Sequence, residues 1–137
     1  MTMRWLIVFL LGSFTILQLN AQDASSAQGP EITWEFLSHD FGDIVQGDKV
    51  DYTFKFTNTG NQPLVLTNVE VTCGCTTPKG WPRDPIMPGG KGELSVAFNS
   101  AGRFGKQNKV VTVTSNSVGS SNQVMITANV LEKSNPN

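Results

Sequence analysis

Residues 50–58, "VDYTFKFTN", alternate apolar and polar side chains without a break. Val50, Tyr52, Phe54 and Phe56 fall on one side; Asp51, Thr53, Lys55 and Thr57 fall on the other. A period of two lets an extended strand bury one face and wet the other, whereas a helix would scatter these residues around its circumference. The same alternation recurs in "ITWEFL" (Ile32, Trp34, Phe36), "GELSVAF" (Leu94, Val96, Phe98) and "QVMITANVL" (Val124, Ile126, Ala128, Val130). "HDFGDI" reads as a short extended piece and "NKVVTVTSN" as a further strand. "LVLTNVEVTC" is rich in β-branched residues and is expected to bend near Asn68.

Turn residues punctuate these runs: "VQGDK", "NTGNQP", "NSAGRFGKQ" and "NSVGSS". "TTPKGWPRDPIMPGGK" carries four prolines and reads as one long loop. Seven or eight short strands within roughly one hundred residues predict an all-β fold, an immunoglobulin-like Greek-key β-sandwich. The widely spaced cysteine pair of antibody domains is missing, so apolar packing must hold the sheets together.

The N-terminus follows a different pattern. Arg4 precedes the apolar run "LIVFLLGSFTILQL", and Ala21 is a small residue placed for cleavage. The run is short against the roughly 20 apolar residues of a membrane span. Residues 1–21 are therefore expected to be a signal peptide, with an uncleaved anchor as the alternative, 22–30 a flexible linker, 31–132 the sandwich and 133–137 a tail. No cysteine stands at the expected cut, which argues against a lipid anchor there. Loss of the leader removes only Arg4 among charged residues, leaving nine basic against eleven acidic side chains. Such a balance offers nothing to attract nucleic acid. The expected compartment is periplasmic or extracellular, with no transmembrane span after cleavage. It is an oxidising setting in which disulfides persist.

The only cysteines are Cys73 and Cys75, in "VTCGCTTP". In a regular strand, residues two apart share a face with β-carbons roughly 6–7 Å apart. A disulfide wants about 3.8 Å, so bridging them requires the backbone to fold at Gly74. Four readings stay open: a structural pair, a labile redox disulfide, a copper(I) site of two thiolates, and a catalytic nucleophile. A nucleophile needs a positioned base, and His39 is the one histidine. Tetrahedral zinc falls one protein ligand short of a closed structural site. Met87 is a soft donor for copper, though a single methionine in a proline-rich loop is usually a packing residue.

Other candidates have plain readings beside functional ones. Trp81 and Arg83, in "KGWPRDP", form a partner-binding loop if exposed; otherwise Trp81 plugs one end of the sandwich. Arg103, Lys106 and Lys109 surround Phe104 as an anionic contact patch, or a solvated loop with Phe104 packed inward. "GGKGE" has the wrong spacing for a phosphate loop.

The stretch "HDFGDIVQGDKVDYTFKFTNTGNQPLVLTNVEVTCGCTTP" resembles the bacterial family called domain of unknown function 1573. Its motifs fall on Phe41–Ile44, Gly47, Phe54–Gly60, Pro63–Leu64 and Cys73–Thr76, and "IMPGGKGELSVAFNSAG" continues the likeness. The opening motif is also similar to immunoglobulin-like domains of the ciliary and major-sperm-protein type. The resemblance implies an exported sandwich and supplies no activity. Within it, Gly42, Gly47 and Gly60 are expected to take backbone conformations that a β-carbon would penalise. The expected function is a non-catalytic exported binding or structural module with no cofactor, meeting protein partners through loops or a sheet edge. The alternative is a thiol-redox or copper(I)-handling protein built on Cys73 and Cys75.

Overall fold

The computed structural model describes residues 28–119 and 122–135. The expected leader, most of the linker and the last two tail residues lie outside them. Eight strands form: β1 Ile32–Trp34, β2 Ser38–Val45, β3 Lys49–Asn58, β4 Leu66–Val71, β5 Thr76–Gly80, β6 Lys91–Asn99, β7 Gly105–Ser115 and β8 Gln123–Leu131. They build two four-stranded sheets, ordered β1-β3-β6-β5 and β2-β8-β7-β4. The fold is the expected immunoglobulin-like Greek-key sandwich.

The alternating pattern sorts the core as anticipated. Phe54 and Phe56 of β3, Leu94, Val96 and Phe98 of β6, and Val124, Ile126, Ala128 and Val130 of β8 are all buried. Val50 and Tyr52 are half-buried at the end of β3 and pack against that core. Fully burying one Phe or Val contributes roughly 1.5–3 kcal/mol, so the filled interior holds the sheets without an inter-sheet disulfide. β4 does bend where expected: its pairing with β7 shifts between Leu66 and Asn68, which lets both Leu66 and Val69 point inward.

Four expectations need correction. Phe36 does not share the inner face of Ile32 and Trp34; β1 stops at Trp34, and Phe36 is 58% exposed. The proline-rich loop contains a strand: β5 pairs antiparallel with β6, with Thr76 opposite Phe98. Pro78 is tolerated because β5 is an edge strand with a register shift between Pro78 and Gly80. Phe104 is exposed rather than packed inward. Gly42 and Gly47 take positive φ, 69° and 98°, but Gly60 does not. A β-carbon on Gly60 would strike the backbone of Gly29, Pro30 and Glu31, so close approach explains that glycine.

That approach also ties the end of the expected linker to the sandwich. Gly29 and Pro30, at the end of the expected linker, are buried. The Gly29 N–H donates to Asn61 Oδ1 at 2.8 Å, and Val118 N–H donates to the Pro30 carbonyl at 2.9 Å. β2 runs parallel to β8, the one parallel pairing among the described strands.

Candidate functional site

β4 lies in one sheet and β5 in the other, so the chain must change sheets between Val71 and Thr76. Four residues, Thr72–Cys75, make the crossing. Cys73 and Cys75 are disulfide-bonded, with Cα atoms 5.3 Å apart. The backbone folds as the pairing requires: Thr76 N–H donates to the Cys73 carbonyl at 3.1 Å, closing a four-residue turn with Gly74 inside it. Each side of the turn is tied to its own sheet. Thr72 N–H donates to the Val110 carbonyl at 3.2 Å, and Asn99 N–H donates to the Cys75 carbonyl at 2.8 Å. Both cysteines are half-buried, and Thr76 beneath them is buried.

The sandwich separates the other candidate groups from this pair. His39 sits on β2, at the opposite edge of its sheet from β4. Three strand spacings, roughly 14 Å, divide those edges. His39 stacks flat on Tyr52, ring centroids 3.7 Å apart, and meets the edge of Phe41 at 4.7 Å. Met87 follows the Leu64–Ile86 bridge, and Gly90 beside it bonds Asn58, whereas the cysteine turn abuts Asn99 at the far end of β6. Neither His39 nor Met87 reaches the cysteines. Among the described residues, no group of three or more His, Cys, Asp or Glu gathers to hold a metal ion.

Trp81 is half-buried and packs against the core, with the Arg83 guanidinium 3.8 Å above its ring. It thus acts more as a wedge beside β5 than as a free anchor. Its indole N–H is buried without a hydrogen-bond partner.

The end of the sandwich that carries the cysteine turn also carries features the sequence reading missed. Ser100 is fully buried, and its hydroxyl, at 3.0 Å from each, meets the carbonyls of Val45 and Asp48. Asp48 in turn accepts the Val45 N–H at 2.9 Å. Gln46 N–H donates to the Leu131 carbonyl at 2.9 Å. These bonds lock the β2–β3 turn onto β8 and the β6–β7 loop. On that rigid rim Val45 pairs with Leu131, and Gly105 pairs with Val130, which sets Phe104 level with Leu131. Val45, Leu131 and Phe104 are 41%, 43% and 57% exposed. Three apolar side chains therefore stand in water on three neighbouring strands. Each residue lies just outside or at the end of an alternating run, but local spacing does not show that the three meet.

Asn58 is a second missed residue, at the opposite end of the molecule. It is fully buried. Its amide group donates to the carbonyls of Gln62 and Ile86, both at 2.8 Å, and accepts the Gly60 N–H at 3.0 Å. On the outer face, Asp40 is held below its ordinary value of 3.8, first by the Gly42 N–H, then by Thr127, with His39 and Lys106 adding weaker attraction.

In fold, the chain is similar to a protein of unknown function from Porphyromonas gingivalis W83, with TM-score 0.64 and 20% identity over 80% of this chain and 51% of that one. It thus spans about half the length of that protein. It is similar to PapD-like domain 7 of human CEP192, with TM-score 0.56 and 12% identity over 77% of this chain and 89% of that one. Part of the secreted serine protease VesC from Vibrio cholerae is similar too, with TM-score 0.55 and 15% identity over 74% of this chain and 23% of that one. No curated protein matches the chain in sequence. No helix among the described residues is long and apolar enough to cross a membrane. Residues 32–130 match the family model described as "Protein of unknown function (DUF1573)", and the chain belongs to that family.

Proposed function

We propose that the protein is an exported, non-catalytic binding module with no resident cofactor. It meets a protein partner through the rim that bears Val45, Leu131 and Phe104. The observation that supports this most is the exposure of those three side chains on a rim stiffened by Ser100 and Asp48. Loops on a rigid scaffold are where sandwich folds carry function, and exposed apolar groups on such a scaffold mark contact surfaces. The expected leader and the secreted description of VesC support export, to the periplasm or beyond. A photoreactive residue at Val45 tests the contact in the host: reproducible cross-links to a discrete protein support it, and none at saturating light refutes it. The mass of the exported protein tests the rest, since cleavage after Ala21 and no metal adduct are expected.

A second reading rests on the cysteine spacing and partial exposure. An external dithiol would reduce the Cys73–Cys75 bond to two thiols while itself closing to a disulfide. The reduced pair would then be competent to take copper(I). Titration of thiols across glutathione buffers tests it; an unchanged thiol count removes the redox role and, with it, the copper role.

A further inference from the structure

β7 is longer than the strand beside it. Its residues 111–115 pair with β4, but β4 runs out at Val71 and the chain turns away at the disulfide. Towards its start, β7 is paired only with β8, from Gly105 to Thr112. Val110 marks the last tie on the β4 side: its carbonyl accepts the Thr72 N–H, and its N–H donates to Thr72 Oγ1 at 3.4 Å. Backbone groups in a strand point to alternate sides at every residue. Asn108 and Lys106 therefore aim N–H and C=O in the direction of Val110's, at the space β4 has vacated. Both residues are exposed. An edge of this kind is a template for another extended chain.

We propose that this edge of β7, over Lys106 and Asn108, binds an extended acidic peptide segment of a partner protein as an added antiparallel strand. The inference deepens the binding-module reading, since the edge opens beside Phe104 on the same rim. Charge selects the occupant. Arg103, Lys106 and Lys109 lie along this stretch, and residues 100–115 contain no Asp or Glu. The open side is bordered by the uncharged run Thr72–Thr76, with Glu70 only at the level of Thr112. On the other side Lys106 and Asn108 both line a surface depression with Asp40 and Asp43, across β8, so the acidic pair lies on the side away from the open edge. Antiparallel self-pairing of two copies would gather Arg103, Lys106 and Lys109 of both along one seam with no acidic residue of 100–115 between them, a like-charge arrangement that opposes it. The bridged turn lies just past the point where β4 leaves the sheet.

The test is amide hydrogen exchange of the purified protein with a synthetic eight-residue peptide of alternating Glu and Val. At saturation, the Lys106 and Asn108 amides are expected to slow at least about tenfold, as newly bonded edge amides do. The Lys–Val counterpart is expected to leave them unchanged. Asn108→Pro removes an outward N–H and no β8 bond, so it should keep the fold and lose the peptide. If that variant does not fold, Lys106→Glu with Lys109→Glu serves instead, and should exchange the Glu–Val preference for Lys–Val. The proposal falls if the two amides stay fast with the Glu–Val peptide. It also falls if both peptides protect equally, or if the amides are already slow in the free protein through a second copy or the chain's own termini. Persisting cross-links from Val45 in Asn108→Pro would overturn the edge while leaving the binding module intact; their absence in the parent protein would remove both.

Discussion

Asn99 hands its N–H to the Cys75 carbonyl at 2.8 Å, so the bridged turn is bonded into the sheet opposite the one Cys73 comes from. The cysteine pair thus clamps one of the short passages between the two sheets. A pin at such a crossing limits how far β4 can run and where β5 can begin.

Replacing both cysteines by serine, Cys73→Ser with Cys75→Ser, is expected to leave a folded sandwich. The bridge closes a very short loop, and loop-closure entropy then gives only about 1–2 kcal/mol. Urea denaturation should show that loss with an unchanged slope.

Asn58 is expected to be less forgiving. Asn58→Ala would leave the Gln62 carbonyl and the Gly60 N–H without the partner they have now. Losing the hydrogen bonds of this fully buried amide, the one to the Ile86 carbonyl among them, destabilises by about 1–3 kcal/mol, and Asn58→Asp should be no better because it removes both donors. Thermal unfolding checks both variants.

Gly60→Ala should destabilise by about 1–3 kcal/mol through overpacking. The new β-carbon would lie 2.6 Å from Glu31 N and 2.8 Å from Pro30 C, backbone atoms that no rotamer change can move. Gly74→Ala is the control, since nothing lies within 4 Å of its β-carbon position. Comparing denaturation midpoints separates them.

Asp40 sets a pH dependence. Its carboxyl is held below 3.8 in the folded protein, first by the Gly42 N–H. A depressed carboxylate contributes stability above its unfolded value, and that stability is lost as pH falls through the lower folded value. Asp40→Asn should therefore be less stable than the parent near neutral pH, with the gap closing in acid below 3.8. Denaturant midpoints across that window read it directly.

Much of the architecture was legible because alternation is a direct imprint of a two-faced strand. Phe54, Leu94, Val96 and Ile126 could be assigned inward from spacing alone, and all four are buried. β5 was not legible, since its proline suppresses the strand signal and only its edge position makes that proline tolerable. Phe36 failed because alternation does not say where a strand stops. The cysteine pair was visible at once, but its place at the crossing depends on which sheets β4 and β5 join, and pairing across the fold is not written in local spacing. The rim of Val45, Leu131 and Phe104 was hidden for the same reason: residues from three distant segments become neighbours only through register.

Cross-linking from a photoreactive residue at Val45 decides most directly whether the rim does the binding while the cysteines only hold the frame. The yield should persist in Cys73→Ser with Cys75→Ser and fall at least about tenfold in Phe104→Ser with Leu131→Ser, the loss typical when interface anchors are truncated. Loss in the cysteine variant, with full yield in the rim variant, would contradict it.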